Sequence, residues 1–96
     1  MTENWTFLTN HARVLLMVAA RPELRIRDIA LETGVTERSV QRIVGDLEAA
    51  GYLRHERVGR RNRYVVDPQR PLRHPLNAAD TVGDLMGALR SIGPAS

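Results

Sequence analysis

Arginine supplies most of the side chains in this sequence that could do chemistry. Arg38 and Arg42 are spaced about one helical turn apart, with Gln41 beside Arg42 and with Thr36 and Ser39 close by. A guanidinium group can donate two hydrogen bonds to O6 and N7 of guanine, and a glutamine amide can pair with the edge of adenine. These residue types at this spacing favour base contacts by Arg38, Gln41 and Arg42, while the hydroxyls of Thr36 and Ser39 would cap the helix or touch phosphate.

A second arginine cluster lies between residues 54 and 63, where five arginines stand against one acid, Glu56, and leave a local net charge of +4. Gly59-Arg60-Arg61-Asn62 separates two short runs with strand character, so the segment predicts a β-hairpin. A cationic hairpin tip can contact phosphates or enter a minor groove. The candidate contacts at the tip are Arg60, Arg61, Asn62 and Arg63. A solvated basic hairpin without a ligand is the alternative interpretation.

The helix that must position the first cluster is predicted over residues 37–50. Its apolar residues recur at helical spacing, Thr36 is a suitable N-cap, and Gly51 ends the helix. Arg38, Gln41, Arg42 and Gly45 then share the opposite, exposed side. The apolar stripe consists of Val40, Ile43, Val44, Leu47 and Ala50.

A shorter helix is predicted before it, over residues 27–33, from Ile26, Ile29 and Ala30 and from the helix-ending residue Gly34. Two helices joined by a few residues around a glycine form a helix-turn-helix. The strands of the hairpin are expected at 52–58 and 63–66, with an uncertain register because the first strand alternates poorly. Tyr52 and Tyr64 are expected to brace the hairpin against the helix pair.

Two further helices are predicted at the flanks, over residues 10–20 and 81–91. The first begins at Thr9 or Asn10 and ends before Pro22, and the second opens with a capping-box variant at Thr81 and stops at Gly93-Pro94. Residues 14–18 are apolar around most of the helix, which predicts burial on a second side by a partner subunit. We therefore expect the first and last helices to form a homodimer interface.

The ends and connectors carry weaker signals. Residues 1–8 show no clean periodicity, so Trp5, Phe7 and Leu8 could form either an anchoring arm or the first turn of a helix. Pro68, Pro71 and Pro75 predict an extended connector. The resulting organisation is one domain: an arm and dimerisation helix (1–24), a helix-turn-helix (25–51), a wing hairpin (52–67), a connector (68–80) and a C-terminal helix (81–93).

Composition excludes several classes of function. The chain has 96 residues, no cysteine, and a net charge of +3, and every one of its 14 basic residues is arginine. This excludes disulfides and thiolate metal sites, and no apolar run is long enough to span a bilayer. The histidines His11, His55 and His74 lie on three different elements, and no serine has a nearby His–carboxylate pattern. We expect no enzymatic activity, metal or cofactor, and a cytoplasmic, nucleoid-associated location.

The stretches RDIALETGVTERSVQRIVGDLEAAGYL and VGRRNRY, within residues 25–66, resemble the winged helix-turn-helix domain of bacterial transcriptional regulators of the MarR and ArsR type. The resemblance implies a mostly helical α+β fold, a recognition helix carrying Thr36–Arg42, a wing at Gly59–Arg63, and a homodimer on a near-palindromic operator. The chain departs from both types. It is too short for the long dimerising helices of MarR-type proteins, and it lacks the cysteine-containing metal motif of many ArsR-type sensors.

These observations predict a sequence-specific regulator that binds double-stranded DNA and acts as a homodimeric repressor. A cleft between the first helix and the helix pair is a candidate site for an apolar small-molecule effector. The alternative function is a winged-helix module for protein–protein interaction or assembly, in which the basic wing would meet an acidic partner, because a fold alone does not fix a function.

Overall fold

Four α-helices and one antiparallel hairpin follow one another along residues 5–89, the part of the chain that the structure, a computed structural model, describes. The elements confirm the mostly helical α+β class and the winged helix-turn-helix order. They are α1 (Asn10–Ala20), α2 (Ile26–Thr33), α3 (Glu37–Ala49), β1 (Leu53–Val58), β2 (Arg61–Val66), a 3-10 turn (Pro75–Asn77) and α4 (Val82–Ala88).

The helix boundaries follow from local capping. The side chain of Thr9 accepts a hydrogen bond from the amide of Ala12, and Gly34 ends α2 with a φ of 77° in the left-handed region that favours glycine. At α4, Thr81 and Asp84 form the expected capping box. The predicted extent of this last helix was wrong: α4 ends at Ala88, and Leu89 is extended with φ −104° and ψ 118°. The predicted stop at Gly93-Pro94 lies outside the described residues.

The core is formed where α1, α2 and α3 pack on one another and β2 packs on α1. Val14 and Val18 of α1 are fully buried, as are Ile29 of α2 and Val40 of α3. All five residues 14–18 are at most 7% exposed within a single chain. Burial of these five residues therefore needs no partner subunit, because β2 also packs on α1. The homodimer interface through the first and last helices stays a prediction.

The hairpin has a defined register, with Leu53 opposite Val66 and Val58 opposite Arg61. The turn between the strands is therefore the pair Gly59-Arg60, not the four residues expected from the sequence. Gly59 has a φ of 63°, and a glycine with positive φ at the first position of a two-residue turn is typical of type II′. Leu53 is the one buried residue of β1, which explains why this strand alternates so poorly in sequence.

The connector after β2 is folded, so the prediction of an extended segment was wrong. The amide of Leu72 donates to the carbonyl of Asp80 at 2.9 Å, and the amide of Val82 donates to the carbonyl of Arg70 at 2.9 Å. The hydroxyl of Tyr52 donates to the carbonyl of Pro71 at 2.5 Å. Proline removes its own amide donor but leaves those of its neighbours free, and these neighbours turn the connector back on itself.

Leu53→Ala should uncouple the wing from the helices, because Leu53 is 3% exposed and anchors β1 in the core. We expect a loss of about 2–5 kcal/mol in the free energy of unfolding, measured by urea denaturation. Val58→Ala is the matched control at the other end of the same strand, where the side chain is 56% exposed, and it should change stability by less than about 0.5 kcal/mol. Equal losses in the two variants would contradict the assignment of Leu53 as the anchor.

The Tyr64 phenol should titrate above its ordinary pKa of 10.0, chiefly because burial raises the pKa and despite a hydrogen bond with Asn62 that lowers it. Because the raised pKa belongs to the folded state, the associated stability is complete below pH 10.0 and is lost as the pH rises from there through the raised pKa of the folded state. Tyr52→Phe leaves Tyr64 as the sole tyrosine, so ultraviolet absorbance of tyrosinate reports it directly. A titration midpoint of Tyr64 in the folded variant at or below the midpoint of the same variant unfolded in urea would contradict this prediction.

Candidate nucleic-acid interface

The exposed side of α3 carries the candidate base-reading residues. Val40, Ile43 and Leu47 are buried against the other helices, and this fixes the rotation of α3 about its axis. Arg38, Gln41 and Arg42 are all exposed. The three side chains therefore form a single polar stripe along the amino-terminal half of the helix, which we call the α3 stripe.

The two hydroxyls at the start of α3 are engaged with each other. The Thr36 hydroxyl oxygen accepts the amide of Ser39 at 3.1 Å, and its hydroxyl donates to the Ser39 hydroxyl oxygen at 3.0 Å. Thr36 is exposed and Ser39 is half-buried. Thr36 therefore serves as the predicted N-cap, and the Ser39 hydroxyl keeps its own proton for donation to a ligand such as a phosphate.

The hairpin begins beside the α3 stripe. Gln41, Gly45 and Glu48 follow one another at i, i+4 and i+7, so they lie on one face of α3. Glu48, at the end of this face, has its Oε2 2.5 Å from Nδ1 of His55 on β1. The His55 ring also meets the ring of Tyr64 at a centroid distance of 6.4 Å. This contact thus fixes the base of the wing on the carboxyl half of α3, on the face that Gln41 shares.

Four arginines surround a recess of about 220 Å³ between the wing tip and the start of α2. Arg60 and Arg61 come from the turn and the first residue of β2, Arg57 comes from β1, and Arg25 is the residue that caps α2. Arg25 lies 3.5 Å from Asp28, and Arg57 donates to the carbonyl of Gly59 at 3.2 Å. Glu23 also lines the recess, so four arginines and one acidic residue surround it, and this excess of positive charge is suited to an anion such as a phosphate.

Two of these four arginines were missed as candidate contacts in the sequence. Arg25 lies outside the cluster at 54–63, and Arg57 was included only in the net charge of that cluster. Arg57 is the cross-strand partner of Asn62, which is half-buried at the edge of the same recess. Strand alternation from His55 could have assigned Arg57 to this face, whereas nothing in the sequence indicated that α2 begins beside the wing.

Arg63 lies on the other face of the hairpin from His55 and Asn62. Its cross-strand partner is Glu56, and it borders α1 and α4 in a recess that Val18 and Met86 also line. Arg54 and, to a smaller extent, Arg63 lower the pKa of Glu56, and Arg54 binds this carboxylate at 2.9 Å. Arg61 stands two residues earlier on the same strand and shares this face of the hairpin. Arg63 borders the recess of Arg54 and Glu56, however, whereas Arg60 and Arg61 border the recess at the wing tip.

Each of the three histidines has a different partner. His11 lies 2.9 Å from Asp46, His55 contacts Glu48, and Nδ1 of His74 accepts the amide of Leu76 at 3.1 Å. Among residues 5–89, no three His, Asp or Glu side chains come together as a set of metal ligands. No helix within that range is long and apolar enough to cross a bilayer.

Comparisons with known proteins agree with this architecture. IscR from T. potens superposes with a TM-score of 0.60 at 13% identity, covering 97% of this chain and 94% of its own. A protein from Listeria innocua described as a candidate transcriptional regulator gives a TM-score of 0.53 at 20% identity, covering 100% of this chain and 67% of its own. At these identities the likeness shows the winged-helix fold.

No curated protein matches the sequence. The profile of the MarR family matches residues 6–63, a range that begins in the segment before α1 and ends in β2. This range holds the helix-turn-helix together with the wing turn, and it accounts for more than half of the chain. The protein therefore belongs to the MarR family, and its fold is that of a winged-helix transcriptional regulator.

Proposed function

We propose that this protein binds double-stranded DNA in a sequence-specific manner, as a homodimer, and represses transcription at its operator. The observation that carries the proposal is the junction between the α3 stripe and the wing. Glu48, two turns along α3 from Gln41 on the same face, contacts His55 at the base of a hairpin whose tip carries Arg60 and Arg61. To place a helix in the major groove and a cationic hairpin on the adjacent DNA backbone, a protein must hold the two elements together in this way.

The α3 stripe would read base edges. Arg38 and Arg42 are exposed and have the geometry to donate paired hydrogen bonds to guanine, while Gln41 between them can pair with adenine. Gly45 lies on the same side of the helix, and a Cβ added there would meet nothing within 4 Å. No internal contact requires a glycine at this position, so we assign Gly45 to close approach of the DNA backbone or bases.

The arginine recess would hold the DNA backbone. Arg60 and Arg61 at the wing tip were expected in this role from the sequence, and the convergence of Arg25 and Arg57 on the same recess adds two guanidinium groups. Asn62 would help to shape the recess. Arg63 would contribute to DNA binding mainly through long-range electrostatic attraction, because Glu56 lies opposite it on β1.

A dimer would present two such surfaces to successive major grooves, about 34 Å apart. Repression needs no surface beyond these, because occupation of an operator is enough to exclude the transcription machinery. The two-fold symmetry of the dimer would be matched by a near-palindromic site.

Arg42→Ala and Arg61→Ala should weaken DNA binding in different ways. Loss of Arg42 should cost about 1–3 kcal/mol on the selected site and relax the preference at one base pair. Loss of Arg61 should weaken all sequences evenly and reduce the slope of log K against log salt by about one unit. Mobility-shift titrations over a salt series, on a site selected from a random DNA pool, measure both effects.

Two results would contradict the DNA-binding proposal. One is full affinity for the selected site in a double variant with Arg38→Ala and Arg42→Ala. The other is a folded wild-type protein that shifts no DNA even at low salt. The second result would favour the alternative of a protein-interaction module, with an acidic partner on the wing.

Gly45→Ala should stabilise the fold and weaken DNA binding at the same time. Alanine is more favourable than glycine within a helix by up to about 1 kcal/mol, and the added methyl group meets no atom of the protein. Gly87→Ala is the matched control, because Gly87 also has nothing within 4 Å and lies in α4. Urea denaturation should show no loss of stability in either variant, whereas only Gly45→Ala should lose affinity. Unchanged affinity in Gly45→Ala would remove this residue from the interface.

A further inference from the structure

We infer that Trp5 and Phe7 of one copy insert into an apolar groove between α1 and α4 of a second copy, and that this reciprocal exchange holds the dimer together. The inference rests on the proposed homodimer and gives it a contact. The groove, called here the α1–α4 groove, lies between α1, the carboxyl half of α3, the folded connector and α4. Its apolar walls include Ala12, Leu15, Leu16, Tyr52, Leu72 and Leu85.

The segment before α1 exposes two aromatic rings that are already paired. Trp5 is 61% exposed and Phe7 is 91% exposed. Their ring centroids are 5.0 Å apart with an interplanar angle of 81°, an edge-to-face arrangement. The chain has only four aromatic residues of the Phe, Trp and Tyr types, so half of them lie outside the core. A preformed and uncovered aromatic pair is an anchor for another surface.

Hydrogen bonds hold this segment on another side of α1 from the groove. Arg13 donates to the Thr6 hydroxyl oxygen at 2.9 Å and to the carbonyl of Leu8 at 2.7 Å. At 3.6 residues per turn, Arg13 points roughly 130° around α1 from the face formed by His11, Ala12, Leu15 and Leu16. The aromatic pair could reach the groove of its own chain only by breaking these bonds, whereas a second chain can approach it directly.

The groove has the size and chemistry for such an anchor. Its volume is about 730 Å³, within the range of about 300–1,000 Å³ typical of sites that enclose a compact apolar group. Val82 and Leu16 form its floor and are each 1% exposed. Leu72 and Leu85 line its walls and are half-buried, so they would gain burial from an inserted ring.

The area available makes up a large part of that needed for a stable dimer. In a two-fold arrangement both arms enter both grooves, because an isologous contact is made twice. Four aromatic side chains can bury up to about 150–250 Å² each. Together with the groove walls they approach the roughly 1,200–2,000 Å² of a stable interface.

The same arrangement leaves the DNA-reading surface open. The α3 residues that line the groove are Asp46, Leu47, Ala49 and Ala50. Viewed along the axis of α3, the mean direction of these four side chains lies roughly 110° from the mean direction of the α3 stripe. An arm seated in the groove would therefore not cover Arg38 or Arg42, which is why a second copy fits both this groove and the proposed function.

Disulfide trapping tests the exchange directly, because the chain has no cysteine of its own. Single variants Phe7→Cys and Leu72→Cys, carrying different tags, are mixed and oxidised without DNA. A crosslinked heterodimer with both tags is expected, and the same mixture of Phe7→Cys with Leu31→Cys should give none. Leu31 is the matched control because it is 80% exposed on α2, away from the groove.

Sedimentation equilibrium of a Trp5→Ala, Phe7→Ala double variant gives a second readout. We expect the dimer dissociation constant to rise on the order of tenfold or more, with unchanged thermal unfolding of the monomer because both rings are exposed. Leu31→Ala should leave the dimer intact. An unaffected dimer in the double variant would overturn the inference, and so would a wild-type protein that is monomeric at all concentrations.

A Phe7→Cys, Leu72→Cys double variant that closes an intrachain disulfide as a dilute monomer, with no heterodimer in the mixed experiment, would also overturn it. None of these measurements contains DNA. Failure of the exchange is therefore distinguishable from failure of the proposed function, which a mobility shift by the wild-type protein tests separately.

Discussion

Burial of one side of α3 is the constraint on which the remaining structure depends. Val40 is fully buried, and Ile43 and Leu47 are at most 8% exposed, so α3 cannot rotate without moving apolar surface into water. Each buried aliphatic side chain of this size is worth about 1.5–3 kcal/mol relative to exposure. This energy is what holds Arg38 and Arg42 outward, because neither side chain has a bond of its own within the described residues that would fix the direction of the helix.

Charge is distributed unevenly along the wing, and this distribution follows from where the acids stand. Glu48 meets His55 at the base of the hairpin, and Glu56 binds Arg54 farther along β1. Arg54 lowers the pKa of Glu56, so that carboxylate stays ionised and neutralises its neighbours. Toward the tip, Arg57, Arg60 and Arg61 meet Arg25 around one recess. The positive charge is therefore concentrated at the wing tip, beside the start of α2.

The sequence predicted those features that local chemistry determines. The cap at Thr36, the left-handed Gly34 and the apolar stripe of α3 each depend on residues within a few positions, and all three are present in the structure. Features that depend on distant segments were not predictable. Coverage of α1 by β2 made a partner unnecessary for burial of residues 14–18, and the approach of α2 to the wing added Arg25 to the basic recess. The position of Arg63 opposite Glu56 was not predictable either, because the register of the hairpin was uncertain in the sequence.

Burial of residues 14–18 within one chain changes where a contact of the proposed dimer would lie. Because the centre of α1 is buried within one chain, the surface left for a partner lies at the margins of the helix: the aromatic pair before its first turn and the α1–α4 groove along one side. A domain of this size buries only about 60–65% of its unfolded surface, so apolar surface at the margins is expected, and Leu31, Val58 and Leu76 are exposed as well. Within residues 5–89, exposed aromatic rings and an open apolar groove are complementary in chemistry, and a two-fold arrangement would satisfy both at once. The arrangement also keeps the α3 stripe free, since the groove and the stripe occupy different sides of the same helix.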